Sequence, residues 1–209
     1  MDADEIRKRS KGKFDKEAQI YENTSDGQFC SRVYPIIIET IESTHGQSLL
    51  DIGCGPGTIL SKVTKKTRLC GIDLSAQMIA RAKETLKEKA ELKIGDAEVL
   101  PYPEKTFDIV SCTFSFHHYP NPEKVLFEMN RVLTNGGQLV LADPWMPFPL
   151  QPIMNFFCRY SQNGDHHIYS KREMLQLLSA AGLTLKSYRH PTNDSFLLTA
   201  IKAGGTDHA

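Results

Sequence analysis

Apolar positions recur along this chain with two periods, one near 3.6 residues and one of short unbroken runs, and the two alternate. After a polar opening stretch, residues 14–22 and 29–43 read as helices, the second with Val33, Ile36, Ile37 and Ile41 on one face. Ser48–Ile52 is an apolar run ended by glycines, hence a strand. Residues 58–66 read as a helix and 68–74 as a second strand. Ser75 then caps a helix running through Ile79 and Leu86, with Lys and Glu on its outer face. Residues 92–94 form a short third strand, and Phe107–Thr113, rich in apolar and β-branched residues, a fourth. Pro122 stands in the first turn of a helix continuing through Leu126, Met129 and Leu133. Asn135-Gly136-Gly137 stops it, and residues 138–142 make a fifth strand. Ser170 and Glu173 form a capping box for a helix ending at Gly182, and residues 183–188 and 196–201 are the last two strands.

Strands separated by helices of this length require right-handed crossovers, and so an α/β fold with a mostly parallel, doubly wound sheet. In such sheets ligands sit outside the carboxyl ends of the strands. The chemistry is therefore expected in the residues that follow each strand.

The first strand runs into Asp51-Ile52-Gly53-Cys54-Gly55-Pro56-Gly57. Its glycines permit a tight turn and close approach to a ligand, and the following helix offers its N-terminal amides. Thr58 stands where a dinucleotide fingerprint has its third glycine. Asp51 would repel a pyrophosphate but suits a ligand with an ammonium group. The second strand ends at Asp73, placed to accept hydrogen bonds from ribose hydroxyls. The third ends at Asp96-Ala97, where a carboxylate can accept an exocyclic amine such as that of adenine. Singly, Asp51 could serve only to stabilise the loop and Asp96 only an Asx-turn. Three acids at successive strand ends beside a glycine loop are poorly explained by structure alone.

Residues 49–57 (LLDIGCGPG), 71–75 (GIDLS), 95–101 (GDAEVLP), 107–122 (FDIVSCTFSFHHYPNP) and 128–143 (EMNRVLTNGGQLVLAD) resemble class I S-adenosylmethionine-dependent methyltransferases. Within that class they are most similar to the ubiquinone/menaquinone C-methyltransferase-like (methyltransferase type 11) group. The resemblance implies a three-layer Rossmann-like methyltransferase fold: a seven-stranded, mostly parallel sheet with an antiparallel last strand, preceded by N-terminal helices. It implies S-adenosylmethionine as cofactor and S-adenosylhomocysteine as product. Asp51, Gly53, Cys54 and Gly55 would surround the methionine end. Asp73 would hold the ribose, Leu74 and Met78 would pack near the adenine, and Asp96 and the Ala97 backbone would read its ring. Thr113 would lie by the methionyl group, and Tyr21 would close over the cofactor.

A sulfonium is already a strong electrophile, so such an enzyme needs mainly to hold cofactor and nucleophile in line. A base is needed only where the nucleophile must lose a proton. His117, His118 and Asp143, which follow the fourth and fifth strands, are the candidate catalytic groups. Adjacent residues of an extended segment point oppositely, so one histidine at most is expected to face the site, and the pair also suits a packing role. Asp165, His166 and His167 read as a polar loop, without the spacing of a metal centre. Residues 143–169 carry Trp145, Phe148, Phe156, Phe157 and Tyr160 among four prolines. A stretch so apolar is either a lid over a hydrophobic substrate pocket, which we favour, or a subunit contact.

Composition narrows the partners. The 209 residues hold 25 Lys plus Arg and 25 Asp plus Glu, a balance that provides no field for a polyanion and argues against nucleic acid. Five scattered cysteines without a C-x-x-C pair exclude a cluster-bound radical use of the cofactor and leave no metal or disulfide framework. The first residues are too polar for a signal peptide and no apolar run reaches about 18 residues, so a soluble, cytoplasmic protein is expected. One domain is expected: a flexible leader over 1–12, cap helices over 13–45, the cofactor core over 46–142, the insertion over 143–169, a helix and two strands over 170–203, and a tail over 204–209. The reading is methyl transfer to a small, possibly hydrophobic molecule by a monomer or homodimer. The alternatives are a non-catalytic S-adenosylmethionine-binding module and an NAD-dependent oxidoreductase.

Overall fold

The computed structural model describes residues 2–158 and 164–204. Seven strands form one sheet in the order β3-β2-β1-β4-β5-β7-β6. They are β1 (Ser48–Ile52), β2 (Arg68–Asp73), β3 (Glu91–Ile94), β4 (Phe107–Thr113), β5 (Leu133–Pro144), β6 (Leu183–Arg189) and β7 (Ser195–Lys202). β1 pairs in parallel with β2 and β4, β2 with β3 and β4 with β5. β7 runs antiparallel to both β5 and β6, so the last strand alone is reversed, as the resemblance implies.

Strand alternation divides the core in two. Leu49, Ile109, Val140 and Ala142 face one side, where they pack with Ile37, Ile41, Ile59 and Ile79. Leu50, Val110, Leu139 and Leu141 face the other, with Leu126, Met129, Met174 and Leu178. The first layer comes from α3 (Tyr34–Ser43), α4 (Thr58–Lys62) and α5 (Ala76–Leu86), the second from α6 (Pro122–Val132) and α8 (Lys171–Ala180). A sheet covered on both faces needs strands that are apolar throughout, and that is the pattern of β1, β4 and β5.

The N-terminal segment departs from its sequence reading. Residues 1–12 were expected to be a flexible leader, yet Ala3–Glu17 is a helix, α1. Asp4 and Glu5 occupy its first turn, and Glu5 pairs with Arg9 at 2.8 Å. Arg7 reaches Glu98 at 2.6 Å and Asp96 at 3.1 Å, while Asp15 accepts the Ser75 hydroxyl at 2.6 Å. Polar side chains fasten this helix, and apolar periodicity is blind to them. The expected helix 14–22 therefore ends at Glu17. A 3₁₀ turn over Tyr21–Asn23 follows, and then α2 (Ser25–Ser31), capped by the Thr24 hydroxyl. The expected helix 29–43 is interrupted before Pro35, whose ring starts α3.

Smaller shifts have similar local causes. α4 stops at Lys62 rather than 66, and α6 at Val132, because Leu133 already pairs with Phe107. Residues 133–137 thus extend β5. The apolar insertion contains a helix, α7 (Leu150–Cys158), with Phe148, Ile153, Phe156 and Phe157 exposed. Tyr160 and most of the tail lie outside the described residues. Among the described residues no helix is long and apolar enough to cross a membrane.

Asp108 clamps the amino ends of β1 and β4. Its carboxylate accepts the Gln47 and Ser48 amides at 2.9 and 3.1 Å and the Ser48 hydroxyl at 2.8 Å. Partial burial raises its pKa, but these bonds outweigh burial and hold it below the usual carboxylate value. A depressed pKa stabilises the fold above the unfolded-state value and ceases to do so as pH falls through the folded one. Asp108→Ala is expected to cost about 1–3 kcal/mol at pH 7, the range for orphaned amides, and less below pH 4. Urea denaturation at the two pH values measures this, and an equal cost at both would refute the clamp.

Candidate functional site

The order β2-β1-β4 places the switch point of the sheet between β1 and β4, where chain connections leave in opposite directions and a crevice opens. The turn after β1 fills that opening. Gly53 and Gly55 adopt φ of 68° and 52°, in the left-handed region. A Cβ on Gly53 would lie 2.4 Å from the Ser115 hydroxyl, so this backbone sits hard against the end of β4; on Gly55 it would meet nothing within 4 Å.

Asp73, at the end of β2, holds the turn. One carboxylate oxygen accepts the Gly55 amide at 2.9 Å and the other the Ser75 amide at 2.8 Å. Burial raises its pKa and the backbone amides oppose that rise. Asp51 is sealed within the sheet and accepts the Ser111 hydroxyl at 2.7 Å. Burial, with a smaller contribution from Asp73, pushes its pKa up to about 7 despite that bond. The buried Asp51 and the part-buried Asp73, close enough to interact, make this edge of the sheet favourable to a cation.

Three adjoining cavities surround the turn. The first, about 590 Å³ including its mouth, lies over the ends of β1 to β3, bounded by Asp73, Leu74, Asp96, Ala97 and, from α1, Arg7 and Phe14. Asp96 accepts the Glu98 amide at 2.9 Å, which is an Asx-turn, and also faces Arg7. The second, about 480 Å³, continues over the glycine turn between Tyr21, Cys54, Gly55, Met78 and Thr113. The third, about 740 Å³, is bounded by Tyr21, Phe29, Cys30, Phe114, Met154 and the two histidines. Phe14 borders all three.

The histidines stand where the first and third cavities meet. His118 borders both, and His117 the third. The segment was expected to be extended, with the two rings on opposite sides. Instead Phe116–His118 is a 3₁₀ turn, which rotates successive side chains by about 120°, so the rings lie 4.0 Å apart, centroid to centroid. His117 Nδ1 is 2.9 Å from Asp143 Oδ1. Burial lowers the His117 pKa, but Asp143 outweighs it and the net shift is upward. His118 Nδ1 donates to the Gly164 carbonyl at 3.1 Å; burial and then the neighbouring His117 hold its pKa well below the ordinary value. The Phe14 ring packs edge-on against His118 at 5.2 Å.

Asp143 was expected at the crevice mouth, in contact with substrate. It is fully buried behind His117, because β5 continues to Pro144 and carries the residue inside the sheet. Asp51 likewise borders none of the three cavities and acts on them only through its charge. The remaining expected cofactor residues, Tyr21, Gly53, Cys54, Gly55, Asp73, Leu74, Met78, Asp96, Ala97 and Thr113, line the first or second cavity. Arg7, Phe14 and Ser115 were missed. The first two stand in the segment read as a leader and at its border, and a lone serine after a strand carries no sequence signal.

Residues 50–141 match the family described as "Methyltransferase domain". The chain is 36% identical over 106 residues to a phosphatidylethanolamine N-methyltransferase of Cereibacter sphaeroides, covering 48% of this chain and 52% of that protein. Across the curated relatives described first, the chain spans a third to about half of their length. An S-adenosylmethionine-dependent methyltransferase of Mesorhizobium loti superposes with a TM-score of 0.69 at 17% identity, over 81% of this chain and 97% of the other. The [4+2]-cyclase SpnF superposes with a TM-score of 0.68 at 21% identity, over 83% and 82%.

The two glycines predict different tolerances. Gly53→Ala must strain φ and displace Ser115, whereas Gly55→Ala meets only the left-handed strain of about 1–2 kcal/mol. Gly53→Ala is expected to lower the melting temperature more than Gly55→Ala, and equal melting temperatures would contradict the packing described.

Proposed function

We propose methyl transfer from S-adenosylmethionine to a small, largely apolar acceptor, on the match of residues 50–141 to the methyltransferase-domain family and on a fold shared with an S-adenosylmethionine-dependent methyltransferase. The observation that carries the reading is the pair of acids beside the glycine turn, Asp51 buried and Asp73 part-buried, with pKa values pushed up and no cationic hydrogen-bond partner among the described residues. A cofactor bearing an ammonium and a sulfonium relieves their repulsion, whereas a pyrophosphate would add to it.

The residues present fit that cofactor. Each Asp73 oxygen accepts one amide and keeps a further acceptor position, which suits a ribose diol. Asp96 is engaged by Glu98 and Arg7 and would take the adenine amine at its remaining acceptor positions, with the Ala97 backbone beside the ring. Gly55, where a Cβ would meet nothing within 4 Å, leaves room for the methionine end, where Thr113 and Tyr21 form the walls. S-adenosylmethionine supplies a methyl group already activated by its sulfonium. The protein is left to orient the partners and exclude water.

Transfer would run towards the third cavity, whose aromatic and aliphatic walls suit an apolar acceptor. His118 and His117 are the polar groups nearest that path, and we assign them the catalytic role. Asp143 is a positioning residue that fixes the His117 ring. We read α7 as the lid, since Met154 and Cys158 border the cavity, with the N-terminal helices as the opposite wall. The relative named for phosphatidylethanolamine supports an amphiphilic acceptor. The cyclase neighbour favours a second reading, binding without methyl transfer.

Product formation separates the two. With S-adenosylmethionine and a panel of apolar acceptors carrying hydroxyl, amine or activated carbon groups, S-adenosylhomocysteine is expected to accumulate with at least one. Asp73→Asn is expected to weaken S-adenosylmethionine binding by about tenfold or more, the worth of a charged hydrogen bond, with an unchanged circular dichroism spectrum. Wild-type affinity in that variant would end the ribose assignment.

A further inference from the structure

The sequence reading assigned no metal and treated Asp165 as part of a polar loop with His166 and His167. The fold separates these three. The backbone amides of His166 and His167 both donate to the His117 carbonyl, at 2.9 and 3.1 Å, which lays the loop across the histidine turn. Asp165 is thereby brought to His117 and His118. Its Oδ1 lies 3.8 Å from His117 Nε2 and 3.5 Å from His118 Nδ1. One ligand atom from each residue falls within 4.8 Å of the others, and all three residues border the third cavity.

We propose that His117, His118 and Asp165 form a binding site for a divalent transition-metal ion in the wall of the acceptor cavity. Ligands about 2.1 Å from an ion stand about 3–3.5 Å from one another, so the Asp165–histidine separations need to contract by tenths of an ångström, and the two histidine nitrogens, within 4.8 Å of each other, by about an ångström at most. The outer arrangement is that of a metal ligand: His117 turns Nδ1 to the buried Asp143 at 2.9 Å, which fixes the ring and leaves Nε2 towards Asp165. Two imidazoles and one carboxylate select zinc, manganese, iron or cobalt in the divalent state over magnesium or calcium. On ion binding His118 changes tautomer: its ring proton passes from Nδ1 to Nε2 by way of water, the ring stays neutral, and the Nδ1 lone pair goes to the ion in place of the hydrogen bond to Gly164. Three protein ligands leave further positions open to the cavity, so an acceptor with a hydroxyl, enol or amine donor is the class such an ion would orient.

This site rests on its own geometry and stands apart from the methyltransferase reading. The test uses the full chain, stripped with a chelator and titrated calorimetrically with Zn²⁺ or Mn²⁺, with Co²⁺ absorption reporting the ligand set. One equivalent is expected to bind. Asp165→Asn and His118→Ala are each expected to weaken it by at least about tenfold. His45→Ala is expected to leave it unchanged, since His45 is exposed near the amino end of β1. A circular dichroism spectrum and melting temperature like those of the wild type show that the variants are folded. Absence of one-equivalent uptake by the wild type, or unchanged uptake in either site variant, overturns the proposal, and then the histidines act without metal.

Discussion

The carboxylate of Asp73 joins two chain segments that the sheet alone would leave apart. By accepting the amides of Gly55 and Ser75 it ties the turn after β1 to the start of α5, directly above the switch point. The turn can lie there because Gly53 has no side chain to meet Ser115. Asp51, one strand over, is buried and raises the density of negative charge beneath the same turn. A buried carboxylate without a cationic partner costs free energy, and a positively charged ligand beside Asp73, at the wall of the first two cavities, is what would lower that cost.

Around that edge the N-terminal helix acts as a cover. Arg7 holds Asp96 and Glu98, Asp15 takes Ser75, and Phe14 stands between the three cavities and against His118. The bonds are polar and partly exposed, so the cover is held by several weak attachments and not by a large apolar interface. Opposite it, α7 presents Met154 and Cys158 to the acceptor cavity and its remaining apolar side chains outward. Phe14 and His118 stand between the first and third cavities, and Phe14, Tyr21 and Phe114 between the second and third.

The centre of the sheet was legible because β1, β2 and β5 each carry an apolar run ended by glycine, proline or a carboxylate, and strand starts such as Ser48 and Phe107 fall where the runs begin. The acids at strand ends were legible for the same reason: their chemistry and their place in the fold are read from one motif. What escaped depends on contacts between distant parts of the chain. Arg7 is meaningful only once Asp96 and Glu98 are beneath it, and Asp165 only once its loop crosses His117. The histidine pair was misjudged through a local error: an extended segment was assumed where a 3₁₀ turn lies. Asp143 was placed at the crevice mouth, in reach of substrate, because β5 was ended two residues early.

The most direct measurement is a calorimetric comparison of S-adenosylmethionine, S-adenosylhomocysteine and NAD against the purified protein. The charge arrangement around Asp51 and Asp73 predicts binding of the first two and none of NAD. Binding of NAD without the other two would contradict the account at its centre, because a pyrophosphate would then be accommodated beside the carboxylates of Asp51 and Asp73.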